Sequence, residues 1–330
     1  MAAHAPGNGR SGGSGPPTSG SRERTATPRA CRPAPPSPQQ LRTMRSTNRG
    51  CLMFDALKKL KYGARVFLSR KGGEPEVIDV RGRPVSIMSG GDGPPFVYLH
   101  STLGESMRWL PFHAAWSKHF TVYAPLHPGF GQSGGFDEID SIEDMAFHYL
   151  ELFDALGLGE VILGGVSLGG WIAAEFAIRW PERVKKLWLS GAPGLWVEEQ
   201  PLPDLFRDMA NVPRLRSLLF HDPDGYMAKM VLADNIEDER RVMGFQAMTV
   251  LARLVWERPY DPKLARRLHR IQCPTLLLWG GNDRLVPPAY GEAYRQHLPQ
   301  SEMKIIPHCG HLAMFEKEAE FIEAVTAFCQ

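Results

Sequence analysis

The 330-residue sequence has little cysteine: five residues, at positions 31, 51, 273, 309 and 329, with no CxxC pair. That argues against a disulfide framework or a cysteine-rich zinc site. Cys309, two positions before His311, is a lone C-x-H without the further ligands a metal site needs. Long hydrophobic runs are missing as well. The most apolar stretch, 161–178, is rich in glycine and carries Glu175, which makes it a poor membrane span. A strong charge of one sign is also absent, since 38 basic and 36 acidic residues leave a formal net charge of +2. Eight of the basic residues, all Arg, and only one acid lie in the first 50 positions, so the rest of the chain is acidic by 35 to 30. That argues against a nucleic-acid-binding body.

Residues 1–50 lack any aromatic side chain and hold one of Leu, Ile or Val, against seven Gly, eight Pro and six Ser. Such a segment cannot bury enough apolar area to offset its ordering entropy, and it is expected to be disordered. It has no apolar h-region and is not a secretory signal. Its Arg-rich, acid-poor make-up has some transit-peptide character. The simpler readings are a linker, or a gene model that starts too early, with Met44 or Met53 as later starts. Residues 51–74 read as a short basic helix or linker anchored by Leu57, Leu60 and Phe67. The expectation is a soluble, cytoplasmic protein.

From about position 75 short apolar runs alternate with helical stretches. Strands are expected at 76–80, 84–88, 96–100, 121–126, 161–166, 184–190, 275–279 and 302–306, with Arg81-Gly82 turning the first hairpin. Helices are expected at 107–118, 142–156, 168–180, 289–297 and 315–329. Continuous apolar strands alternating with helices indicate an α/β domain, its mostly parallel sheet covered on both faces. The alternation breaks at 195–270, which is strand-poor and reads as five helices over 203–210, 214–220, 226–233, 237–256 and 262–269. This stretch is rich in Trp, Phe and Met, among them Trp196, Phe206, Met230, Phe245 and Trp256. An insertion of this kind reads as a cap, although ordinary core packing accounts for many such side chains. The chain thus divides into a tail (1–50), a connector (51–74), a core (75–194 and 271–330) and a helical cap (195–270).

The pattern G-x-S-x-G occurs around Ser11, Ser133 and Ser167, so the pattern alone decides little. Ser11 lies in the tail, and Ser133 sits in a Pro-Gly-Phe-Gly loop with no helix directly after it. Ser167 stands between the apolar run Val161–Val166 and an apolar helical stretch, the strand–turn–helix setting of a nucleophile elbow. The bland reading of Ser167 is a helix N-cap. A serine hydroxyl needs a base, itself oriented by an acid. Asp283 and His311 each follow an expected strand on the sheet edge that Ser167 occupies, in the chain order Ser, Asp, His. His308 is the competing base, nearer its strand and lacking the Gly-His turn. Gly129–Gly134 also fits a dinucleotide fingerprint, but no helix opens on it to receive a pyrophosphate. No cofactor and no metal are expected.

Together, Leu99-His100, Pro128-Gly129-Phe130-Gly131-Gln132-Ser133, Gly165–Gly169, Gly281–Pro287 and Gly310-His311 make the chain from about 75 to 330 resemble the capped α/β-hydrolase superfamily. The resemblance implies an oxyanion hole from the backbone N–H groups of Leu168 and Thr102. Two departures stand out. The usual His-Gly reads His100-Ser101, and His127 stands where an Asp often precedes the Pro-Gly-Phe-Gly turn. Serine at the elbow argues against haloalkane dehalogenases and epoxide hydrolases, whose nucleophile is a carboxylate.

Three functions follow as expectations. The first is hydrolysis of a carboxylic ester, lactone or thioester through an acyl-enzyme. The second is carbon–carbon bond hydrolysis of the meta-cleavage-product type. Against it, Val166 replaces that group's Asn and Leu312 its Trp, while Arg207, Arg214 and Arg253 are candidates for a substrate carboxylate. The third is a non-catalytic receptor on the same fold. The expected ligand is a small apolar acyl or aromatic molecule, without nucleic acid or stable membrane insertion.

Overall fold

The computed structural model describes residues 75–208, 210–234 and 238–330. The expectations for the tail and connector, with Met209 and Glu237, lie outside the described residues. Eight strands form one sheet: β1 (Glu76–Val80), β2 (Arg83–Gly90), β3 (Pro95–Leu99), β4 (Thr121–Pro125), β5 (Val161–Val166), β6 (Val184–Ser190), β7 (Thr275–Gly280) and β8 (Ser301–Ile306). Their order is β1-β2-β4-β3-β5-β6-β7-β8. The β1–β2 and β2–β4 pairs are antiparallel, and every later pair is parallel. The hairpin turns at Arg81 and Gly82, both at positive φ, and the Asp79 carboxylate accepts the Gly82 N–H at 2.7 Å.

Alternation along each strand sends side chains into two separate cores. Val97, Leu99, Leu163, Leu187 and Leu277 face one core. There they meet α2 (Ile142–Ala155), α3 (Leu168–Arg179) and α9 (Pro288–His297). Phe96, Tyr98, Ile162, Trp188 and Leu276 face the other, against α1 (Pro111–Trp116) and α11 (Glu318–Cys329). Ser141 caps α2, accepting the Asp144 N–H at 3.1 Å.

Two helices differ from expectation. The one expected over 107–118 is a single turn, Glu105–Met107, followed by α1, because Pro111 holds Leu110 extended at ψ 164. The one expected over 315–329 is α10 (Ala313–Glu316) and α11, broken at Lys317 with φ −135 and ψ 53. His311 lies two residues before the short helix α10.

Between β6 and β7 the described residues form five helices: α4 (Leu205–Asp208), α5 (Val212–Leu219), α6 (Tyr226–Val231), α7 (Asp238–Val255) and α8 (Leu264–Arg267). Each overlaps a segment read as helical, with α5 beginning two residues early at Val212. The extended pairing seen there is a single bridge from Gly194 to Tyr260. Among the described residues no helix is long and apolar enough to cross a membrane.

Candidate active site

Ser167 joins β5 to α3 with φ 54 and ψ −120, a backbone conformation a residue with a side chain holds only when its surroundings impose it. Its N–H donates to Ser190 O at 2.8 Å, and its carbonyl accepts the Trp171 N–H at 3.1 Å. A Cβ on Gly165 would lie 2.5 Å from the Gly169 backbone, and one on Gly169 would lie 2.1 Å from Leu99 O. Glycine at both places is thus a condition of the turn. Leu168 is the first helical residue, so its N–H has no intrahelical acceptor, at the end of α3 that favours negative charge.

Asp283 stands on the turn after β7. Its Oδ1 accepts the N–H groups of Leu285 at 3.0 Å and Val286 at 2.8 Å, while Oδ2 pairs with His311 Nδ1 at 2.7 Å. A carboxylate facing Nδ1 puts the ring proton there. That leaves Nε2 as an acceptor, and this atom is buried without a partner. His308, in contrast, is exposed, its ring against His221.

Gly191 ties the pair to the elbow. Ser190 accepts the Ser167 N–H, and a Cβ on the next residue would lie 2.9 Å from His311 Nδ1 and 3.2 Å from Asp283 Oδ2. Sequence reasoning missed Gly191, whose one signal was a glycine directly after an apolar strand. It also missed Glu316 and Arg284. The Glu316 carboxylate accepts the Gly310 N–H at 2.6 Å and those of His221 and Asp222 at 3.0 Å each. Arg284 donates to Ser217 O and Phe220 O. With His311 N–H bonded to Leu219 O at 2.8 Å, the loops carrying Asp283 and His311 are both fastened to the end of α5.

The loop after β3 carries Thr102. Of its N–H groups, Ser101 donates to Glu105 Oε2 at 3.0 Å, Leu103 to Ser101 Oγ at 3.1 Å and Gly104 to Ser101 O at 3.2 Å. The Thr102 N–H has no acceptor among the described residues. His127 also finds partners. Tyr149 O–H donates to its Nδ1 at 2.5 Å, its Nε2 donates to His100 O at 2.7 Å, and its backbone N–H donates to His100 Nε2 at 2.9 Å. Burial pushes His127 down to about 4 and His100 well below its usual value, so both rings are neutral.

Ser133 is a structural staple. Its Oγ accepts the Ser86 N–H at 3.0 Å and donates to Leu126 O at 2.9 Å. A single turn, Phe136–Glu138, follows Gly129–Gly134, and the next α-helix is α2.

A cavity of about 1080 Å³ opens over Ser167, Leu168 and Thr102. Trp196, Phe206, Phe245, Met248 and Trp256 line it from the insertion. Met230 is half-buried and does not line it, and Phe220 is core. Arg207 lines the cavity but is paired with Asp208, which also holds Arg214. Arg253 binds Asp140 and the Asp137 carbonyl.

An eight-strand, mostly parallel sheet with helices on both faces and an elbow serine meets a known pattern. The model of the alpha/beta hydrolase family matches residues 96–324. The chain belongs to that family. Among curated proteins, a 2-hydroxy-6-oxononadienedioate/2-hydroxy-6-oxononatrienedioate hydrolase of Burkholderia vietnamiensis is 28% identical over 70% of this chain and 85% of its own length. A pimeloyl-[acyl-carrier protein] methyl ester esterase of Nitrosomonas europaea is 25% identical over 74% of this chain and 98% of its own. The solved structure of naproxen esterase from Bacillus subtilis superposes with a TM-score of 0.63 at 22% identity, covering 90% of this chain and all of that one. That last likeness is one of fold.

Proposed function

We propose that this protein is a serine hydrolase that cleaves a carboxylic ester, lactone or thioester of an apolar acyl or aromatic group through an acyl-enzyme. The observation that carries the reading is the buried Asp283–His311 pair with its unpartnered Nε2, tied through Ser190 and Gly191 to the strained Ser167, which lies under an apolar cavity. In this mechanism the Ser167 hydroxyl attacks the acyl carbon and its proton passes to His311 Nε2. The same proton then goes to the leaving alcohol or thiol as the acyl bond breaks. Asp283 stays ionised and steadies the imidazolium. The N–H groups of Leu168 and Thr102 receive the negative charge on the carbonyl oxygen. Water, deprotonated by His311, attacks the acyl-serine, releases the acid and restores Ser167. Residues 195–270 act as a cap whose aromatic and Met side chains exclude water and select the acyl group.

Two measurements test this. Multiple-turnover hydrolysis of p-nitrophenyl esters of rising chain length should be lost in Ser167→Ala. A fluorophosphonate should label Ser167 alone; labelling at Ser133 instead would refute the assignment.

Carbon–carbon bond hydrolysis is the second reading, favoured by the likeness to the Burkholderia vietnamiensis enzyme. Against it stand Val166 and Leu312, and the engagement of Arg207, Arg214 and Arg253 by acids of the chain itself. Turnover of a ring-fission dienone faster than any ester would decide for it.

A further inference from the structure

Glu105 is a buried carboxyl that the mechanism above does not use. It opens the turn Glu105–Met107 behind the Thr102 loop and is only 6% exposed. Its Oε2 accepts the Ser101 N–H at 3.0 Å, whereas Oε1 is buried with no partner. Leaving a carboxyl oxygen unpaired in the interior costs stability, so its presence asks for another reason.

Ser101 occupies the place where the family pattern has glycine, and every polar group it owns is engaged. Its N–H goes to Glu105, its Oγ accepts the Leu103 N–H, and its carbonyl accepts both the Gly104 N–H and His100 Nδ1 at 2.5 Å. Burial pushes this carboxyl up, and hydrogen bonding from Ser101 opposes that push. The effect on the loop is selective. The N–H groups on either side of Thr102 are drawn to acceptors inside the protein, and the Thr102 N–H between them is left over.

We propose that Glu105 is the positioning residue of the oxyanion loop. Through Ser101 it holds that loop in the one arrangement that leaves the Thr102 N–H free for a developing oxyanion. The proposal rests on the serine-hydrolase reading of the site. Ser101 and Glu105 then form one unit. The carboxyl grips the Ser101 backbone N–H, the Ser101 hydroxyl oxygen holds the Leu103 N–H, and the conformational freedom a glycine would have here is reduced.

The test compares wild type, Glu105→Met and Glu105→Gln. Methionine fills the volume but accepts no backbone hydrogen bond of comparable strength, and glutamine keeps an acceptor oxygen. Three quantities are read: kcat and KM for p-nitrophenyl butyrate, and Ki for two probes of matched chain length. One probe is a trifluoromethyl ketone, which forms a tetrahedral oxyanion on Ser167. The other is the corresponding secondary alcohol, which fills the acyl site without one.

In Glu105→Met, kcat and ketone affinity should fall together by about 10- to 100-fold, as for a displaced oxyanion donor. KM and alcohol affinity should stay within about twofold. Glu105→Gln should recover to within about threefold of wild type. The proposal is overturned if folded Glu105→Met keeps kcat and ketone affinity, or if ketone and alcohol affinities fall in step, which marks general damage to the pocket. It is equally overturned if Glu105→Gln loses as much as Glu105→Met. Should Glu105→Met not fold, the glutamine result alone decides, because a fall in ketone affinity beyond threefold contradicts the proposal. Failure of the wild type to hydrolyse esters and to bind the ketone would sink the underlying reading instead.

Discussion

From Val161 to Ile178, through β5, the Ser167 elbow and most of α3, every residue is buried. The insertion that lines the same cavity leaves Phe245 on α7 71% exposed and Trp256 just after it 69% exposed. Around the serine the contacts are backbone to backbone, so even one methyl group on Gly169 has nowhere to go. α7 packs on the sheet domain through Ala247, Val250, Leu251 and Val255, while on its outer flank the exposed Arg253–Asp140 pair adds about 0–1 kcal/mol. The two walls of one cavity therefore tolerate change to different degrees. The wall that carries Ser167 is over-determined, and the wall formed by the insertion can be altered side chain by side chain.

The comparison predicts that substitutions in the elbow act on rate and those in the insertion on selectivity. The largest expected effect is at Ser167 itself. Ser167→Ala, or His311→Ala, should lower ester turnover by about 10⁴-fold or more with the fold retained, as read by steady-state kinetics beside circular dichroism. Folded His311→Ala with near-wild-type activity would return attention to His308.

Acid should act next, and on the sheet domain. His100, His113, His127 and His148 are all buried outside the insertion. Burial pushes His113 and His148 down to about 3 and His127 to about 4, and lowers His100 well below its usual value. The unfolded chain takes up these protons near pH 6.5 and the folded chain resists until much lower. The stability they give is therefore complete above pH 6.5 and drains away as pH falls toward 4 and then 3. Each group contributes a slope of up to ~1.4 kcal/mol per pH unit within that window. Glu105 and Glu175, whose carboxyls burial pushes up, work in the opposite sense, because their folded forms take up protons more readily than the unfolded chain does. The histidines outnumber them, so the urea midpoint should fall steeply between pH 6.5 and 4.5; a flat profile would show that the buried rings find partners on protonation.

Gly191 sharpens the comparison because it directly follows β6, just ahead of the insertion. It has φ 54, and a Cβ there would press on His311 and Asp283. Gly191→Ala should cut kcat by about 100-fold, the size of effect a misplacement of roughly an ångström produces, with KM little changed. The smallest effect belongs to the insertion. Phe206→Ala should move the optimum of the kcat/KM profile to a longer acyl chain, each added buried methylene contributing ~0.8 kcal/mol until the enlarged pocket fills. The same change at Met230, which does not line the cavity, should leave the profile where it was.

The sequence alone was enough for whatever depends on neighbours along the chain. The two core faces follow from strand alternation, the elbow from a glycine pattern between an apolar strand and an apolar helix, and the five inserted helices from composition and spacing. Asp283 and His311 were legible because each sits one turn past a strand end, and parallel strands bring such turns to a single edge. Their hydrogen bond is then a matter of 28 residues of chain returning to that edge. Tertiary structure decided everything that joins distant segments. Glu316 holds the His221 N–H from 95 positions away, and Arg284 holds Phe220 O from 64. His127 gains Tyr149 as partner, and Gly191 lies against the Asp283–His311 pair. Which aromatic and Met side chains of the insertion face the cavity was also settled only by packing, and Met230 went the other way. The reason is physical. Backbone sterics and periodicity act over a few residues and leave a mark in the sequence, whereas a hydrogen bond between loops exists only after the crossovers have set those loops side by side.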